Sequence, residues 1–212
     1  MIDYKKISLS NQIFEKMEEG ILHGKYPQGS IISPENAASD LRVGLGTVKE
    51  ALIRLQTERL IEDTAEGFKV LGITAADIED MFNVKRKIET TATILAANNI
   101  SDDELNALGD ILVQQEKAVE ESDVEKVKNL DTRFHDIIYS ACGSTTYEII
   151  LSPIHHKLSK CRKASLEKKD RIMNSVKEHR KVYEAMTRRD INEVEKYMLE
   201  HIEHAYTSII NG

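Results

Sequence analysis

Apolar residues recur every three to four positions along most of this chain, and the stretches that break the rhythm are short. Ile13, Met17, Ile21 and Leu22 keep helical spacing behind Ser8, a side chain suited to cap an N-terminus, so a helix is predicted over 8–23. The run from His23 through Gly24, Pro27 and Gly29 is turn chemistry. Ser33, Pro34 and Glu35 make a second helix start, a capping hydroxyl with proline at the first helical position, and that helix should end near Leu41. Past Arg42, Val43 and Gly44 a third helix runs through Thr47 to Leu55. From Leu60 to Leu71 the pattern becomes that of two short strands about a turn containing Gly67. Three helices, with a short turn between the last two, followed by a hairpin is the order of a winged helix-turn-helix.

Residues 72–75 form a brief linker, after which the helical period persists almost to the end. Helices are predicted near 75–98, 101–121, 123–141, 145–166, 170–188 and 190–210, with Ser101 and Glu104 spaced as a capping box. Connections this short make an antiparallel bundle. The expected fold class is mainly α: a winged helix-turn-helix over 1–71, then an antiparallel all-α bundle over 76–212.

Polar residues interrupt the bundle's apolar stripes in a consistent way. Val124, Val127, Leu130, Phe134, Ile138 and Ala141 form one stripe, and Asp131 and His135, four apart, lie inside it. His179 sits among Ile172, Val176, Tyr183 and Met186, and His201 among Ile191, Val194, Met198 and Ala205. A lone histidine on an apolar face is usually a hydrogen-bonded core residue, and a carboxylate there is costly without a partner. One Asp and three His facing inward from three helices can instead converge on a divalent metal. His23, His155, His156 and His204 show no such pattern and read as surface or packing residues.

Composition narrows the classes. Of the 212 residues 41% are hydrophobic and only 5% aromatic, ordinary for a helical globular protein. No run approaches a membrane span, and the first residues lack the apolar core of a signal peptide. Cys142 and Cys161 are too few for a disulfide framework, so the cytoplasm is the expected compartment. The net charge of −7 gives no global sign of nucleic-acid binding.

The two halves together resemble the GntR family of bacterial transcriptional regulators, in its FadR-type branch with an FCD effector domain. The carriers in the first half are Gly24, Pro27 and Gly29, then Val48-Lys49-Glu50-Ala51-Leu52 with Leu55, and Gly67-Phe68 before Val70. In the second half they are Arg86 to Glu89 with Ala96 and Ala97, Asp131 to His135, Glu178-His179, and Met198 to Ile202. Six effector-domain helices resemble the VanR-type subgroup. The resemblance implies that Asp131, His135, His179 and His201 are the metal ligands, the four residues picked out by their burial pattern. It also implies a homodimer, a double-stranded DNA operator, and an organic-acid or sugar-acid effector.

The DNA-binding half departs from the family's usual recognition helix. Gly44-Leu45 stands where a Ser-Arg pair is usual, Lys49 where a second Arg is usual, and Glu35 where many members carry Arg. A bidentate arginine–guanine contact is unavailable from Leu45. Residues 1–71 hold 9 Lys plus Arg against 11 Asp plus Glu, a net charge of −2 for a domain expected to approach a polyanion. The expected DNA-contacting residues are Arg42, Gly44, Leu45, Gly46, Thr47, Lys49 and Gly67, with Lys5, Lys6 and Lys69 available to share a basic face.

Three neutral imidazoles and a carboxylate suit Zn²⁺ or Ni²⁺, and also Mn²⁺ or Fe²⁺, better than Ca²⁺ or Mg²⁺. The first shell then carries a net positive charge, and open positions on the ion accept a small carboxylate. Arg86 and Glu89 on the first bundle helix are the expected effector-binding pair, with a solvated helical ion pair as the alternative. Two rival classes stay open at this point. One is a sensor whose degenerate head acts through protein partners. The other is a metal-dependent enzyme, against which stands the lack of an inward Glu or Lys as general base.

Overall fold

The computed structural model describes residues 8–161 and 169–210. The first residues, Lys5 and Lys6 among them, and the expected end of the fourth bundle helix at 166 lie outside the described residues. The chain divides into two units, Met1–Thr74 and Ala75–Gly212.

Serine hydroxyls start the first two helices. Ser8 accepts from the Asn11 amide at 3.2 Å to open α1, Leu9–Leu22. Ser33 accepts from Asn36 at 3.3 Å to open α2, Pro34–Leu41, with Pro34 at the position where its missing N–H is harmless. Arg42 ends α2 in the left-handed conformation, φ 56°, and the turn passes into α3, Leu45–Thr57, through Gly44. The three helices bury Ile13, Phe14, Met17, Val48, Leu52 and Leu55 against Leu60, Ile61 and Val70 of the wing.

The wing holds one strand more than the sequence pattern predicts. β1, Ile31–Ile32, joins β2, Ile61–Thr64, and β3, Gly67–Val70, in an antiparallel sheet of order β1-β3-β2. Two residues are too few to show an alternating pattern, so nothing in the sequence announces β1. Its pairing explains Gly67, which has φ 128° and whose Cβ would stand 2.9 Å from Ile31 Cγ2 and 3.0 Å from the Ile32 carbonyl oxygen. Only glycine fits there.

The second unit is a bundle of helices in the expected order. α4, Ala75–Val84, runs through a π-helical segment, Lys85–Glu89, into α5, Thr90–Asn99. Then follow α6, Asp102–Glu120, α7, Val124–Ala141, α8, Thr145–Cys161, α9, Lys169–Arg188, and α10, Ile191–Ile210. The capping box at Ser101 and Glu104 is formed as the spacing predicts. Where one regular helix was expected over 75–98, the π segment widens a turn and shifts the phase of the residues on either side. α7 lies against α5, α6 and α8, and α9 against α6 and α10, around Phe82, Leu112, Phe134, Ile138, Met186 and Met198.

Candidate functional site

α7 carries Asp131, His135 and Tyr139 at intervals of four, so one face of one helix presents all three to the bundle interior. α9 brings Glu178 and His179, α10 brings His201, α8 brings His155, and the π segment brings Lys85 and Glu89. His135, His179 and His201 are buried, and each offers a nitrogen within 4.8 Å of the others'. Asp131 reaches this set through its Oδ1, 3.5 Å from His179 Nε2.

The outer nitrogen of each imidazole is already engaged. His135 Nδ1 lies 2.9 Å from Glu89 Oε1, His179 Nδ1 3.2 Å from Gln115 Oε1, and His201 Nδ1 2.9 Å from Glu178 Oε2. An ionised carboxylate and an amide oxygen can only accept, so each Nδ1 carries the proton and each Nε2 carries a lone pair. The Nε2 atoms of His135 and His179 are buried with no hydrogen-bond partner among the described residues. Leaving such an acceptor unsatisfied costs about 1–3 kcal/mol, and oxygen-anchored imidazoles with inward lone pairs are how proteins orient metal ligands. The residues present therefore fit a divalent transition ion, with Glu89, Gln115 and Glu178 as the outer supports.

Burial pushes the His179 and His155 values well below the ordinary imidazole range, and neighbouring imidazoles push them further. Burial also lowers His201, with Glu178 opposing. Imidazoles held neutral in this way are ready to ligate. Burial alone would raise Glu89, but the Lys85 ammonium and the His135 hydrogen bond outweigh it and hold the carboxyl well below its usual range. The Tyr139 hydroxyl donates to the same carboxylate at 2.6 Å, and burial together with Glu89 raises the phenol's own value well above normal.

Two side chains at the centre were not anticipated. His155, read from the sequence as a surface or packing residue, is buried between Lys85 Nζ, 3.2 Å from its Nδ1, and Asp131 Oδ2, 3.2 Å from its Nε2. An ammonium only donates, so His155 takes the opposite tautomer to its neighbours, with its Nε2–H on the side of the Asp131 carboxylate. Lys85 is only 4% exposed and lies 2.8 Å from Glu89 Oε2. The expectation of no inward-facing Glu or Lys is thus corrected by both residues of this pair.

Arg86 is not brought to the centre with Glu89. It turns outward, pairing with Glu203 at 2.6 Å and Glu79 at 3.2 Å over the Tyr206 ring. The inward cation is Lys85, one residue earlier, in the widened turn. The Leu151, His155, Leu158 spacing is the signal that could have found His155, obscured by Pro153 inside α8.

In the head, Gly44, Leu45, Gly46 and Lys49 are exposed at the start of α3, with Arg42 exposed just before it and Thr47 half-buried. Gly67 opens β3 in the wing, where Lys69 is paired with Glu62 at 3.0 Å. Glu35 is a fixed negative charge at the start of α2, its carboxyl lowered by a backbone hydrogen bond and by Ser33.

Residues 9–66 match the family of bacterial regulatory proteins called gntR, and residues 80–204 match the FCD domain. The chain belongs to the GntR family, with an FCD domain behind its helix-turn-helix. It is a DNA-binding transcriptional regulator and not an enzyme. This GntR regulator is 22% identical to the HTH-type transcriptional regulator YdhC of Bacillus subtilis, over 91% of this chain and 87% of that one. It is also 22% identical to the HTH-type transcriptional repressor RspR of Escherichia coli, over 95% of this chain and 89% of that one. The solved structure of Escherichia coli McbR/YncC shares its fold, with a TM-score of 0.77 and 17% identity over 97% of this chain and 99% of that one. No described helix of the GntR regulator is long and apolar enough to cross a membrane.

Proposed function

We propose that this regulator is metal-dependent and responds to a small carboxylate. The observation that carries the reading is the anchoring pattern: three buried imidazoles held at Nδ1 by Glu89, Gln115 and Glu178, with a nitrogen of each within 4.8 Å of the others'. His135, His179 and His201 with Asp131 would hold Zn²⁺ or Ni²⁺, with Mn²⁺ or Fe²⁺ as alternatives of similar ligand preference. A 2+ ion on three neutral ligands and one carboxylate would attract an organic-acid or sugar-acid anion. Within the chain itself, Glu89 and Tyr139 hold His135, His155 orients Asp131, and Lys85 keeps Glu89 ionised.

The regulator acts on a double-stranded operator in the cytoplasm as a homodimer. An effector can change operator affinity only through unequal affinity for two states of the protein, and the coupling is reciprocal. Titrating a panel of small carboxylates, by calorimetry and by DNA binding, against wild type and Asp131→Ala tests this. At least one should bind wild type, fail on Asp131→Ala, and shift DNA affinity by about 5–150-fold. A carboxylate that binds both proteins equally, or binds wild type without moving its DNA affinity, would contradict the metal-gated reading.

A further inference from the structure

We infer that the recognition helix of this regulator reads the 5-methyl group of a thymine in the major groove, and that Leu45 is the side chain that reads it. A helix of this class contacts base edges through its N-terminal residues. Here those residues are Leu45, Gly46, Thr47 and Lys49. Val48, Ala51, Leu52 and Leu55 take the buried face, and Leu45 stays 37% exposed at the first helical position. It is not held there by the core of the head.

The flanking glycines point outward too. A Cβ built on Gly44 or Gly46 would meet nothing within 4 Å, and Gly44 at φ −65°, ψ 144° adopts a backbone open to any residue. Neither glycine answers a need for internal room or for unusual torsion angles. Gly44 also serves as the helix N-cap, a position glycine favours, but Gly46 inside the first turn has no such role, and a bare backbone there leaves room for close approach by an external surface. Leu45 therefore stands alone between two positions that let a base edge come near.

The planar bidentate readers are missing or committed, and Lys49, a turn further along the helix, is assigned to a phosphate. Guanine is read by a bidentate Arg or Lys and adenine by Asn or Gln. α3 has no Arg, Asn or Gln in its first two turns, and Arg54 lies 3.8 Å over the Phe14 ring while donating to Asn11. An aliphatic side chain in the major groove has one matching base feature, the thymine methyl.

The test uses the full chain and a randomised duplex library. Duplexes selected by wild type are resynthesised with each thymine in turn replaced by deoxyuridine, which removes the methyl alone. At one thymine per half-site, wild type should lose about fourfold in affinity, the worth of burying one methyl-sized group. Leu45→Ala should bind the thymine and uracil duplexes equally, and its thermal transition should match wild type because the side chain is exposed. Leu45→Arg should move the selected base at that position to guanine. The inference is overturned if deoxyuridine is tolerated everywhere by wild type, if Leu45→Ala keeps the methyl effect, or if wild type selects guanine or cytosine there. Enrichment of no sequence at all would count against sequence-specific binding itself, and the inference would fall with it.

Discussion

In the bundle, Lys85, Glu89, Asp131, His135, His155, His179 and His201 are withdrawn from water, while in the head Leu45 and Ile53 are left in it on the recognition helix. Both arrangements run against the partition that stabilises a fold. The bundle compensates internally: the buried charges lie against opposite charges or hydrogen-bonding groups, and the buried atoms left without a hydrogen-bond partner among the described residues include the inward-facing Nε2 atoms of His135 and His179. The head does not compensate at all, because Ile53 at 61% exposure has nothing of its own to cover it among the described residues. The contrast teaches where to look for ligands: polar groups taken into a core need internal partners, whereas an exposed apolar side chain is informative only where its position gives it a matching surface. As proposed, the buried lone pairs would serve a cation, and the exposed aliphatic at a helix start an apolar edge in the groove.

The largest expected effect comes from opening the compensated cluster. Lys85→Met leaves the Glu89 carboxylate buried without its ammonium and should destabilise the protein by about 3–5 kcal/mol. Adding Glu89→Gln should restore most of that loss in denaturant melts. A single variant as stable as wild type would mean that the cluster is wetter than the contrast requires. Next comes the ion. Zn²⁺ at about a hundred times its Kd should raise unfolding free energy by about 2.7 kcal/mol, and His201→Ala should abolish the increment while leaving helix content intact by circular dichroism.

A smaller effect follows from the lowered imidazole values. The unfolded chain takes up protons that His155, His179 and His201 refuse when folded. The metal-free protein should therefore keep full stability above about pH 6.5 and lose it progressively as pH falls below that. The depressed Glu89 value adds a further loss only in the more acidic carboxylate range. Melts of metal-free wild type and His179→Gln across this range check the sign, since the variant should show the shallower dependence. The smallest effect lies in the head. Lys49→Ala should weaken binding to all DNA alike and flatten the salt dependence by about one unit of slope; loss confined to one sequence would make Lys49 a base reader.

Much of this was legible in the sequence because helical periodicity exposes residues that break it. Asp131, His135, His179 and His201 stood out since each interrupts a stripe of Val, Ile, Leu, Phe or Met at 3.6-residue spacing. Lys85 did not, because a π turn shifts helical phase and nothing in Lys85-Arg86-Lys87 says which of three adjacent cations turns inward. The same shift misdirected Arg86, which a regular helix would have let face the cluster with Glu89. His155 was hidden by its neighbours, a proline and a second histidine. Its role depends on Lys85 and Asp131, which arrive from elsewhere in the chain. β1 was hidden by its length, and its existence accounts for the bare Gly67. Leu45 was visible as an oddity, but its exposure and the open space around its glycines are properties of the folded head.

The most direct test of the central claim is the metal content of the purified protein. Elemental analysis after purification without chelator, then after reloading with Zn²⁺ or Ni²⁺ and removal of excess, should find close to one ion per chain in wild type, and His179→Ala should lose it without losing helix content. Wild type that holds no ion after reloading, or a His179→Ala variant that holds as much as wild type, would contradict the reading of these imidazoles as ligands.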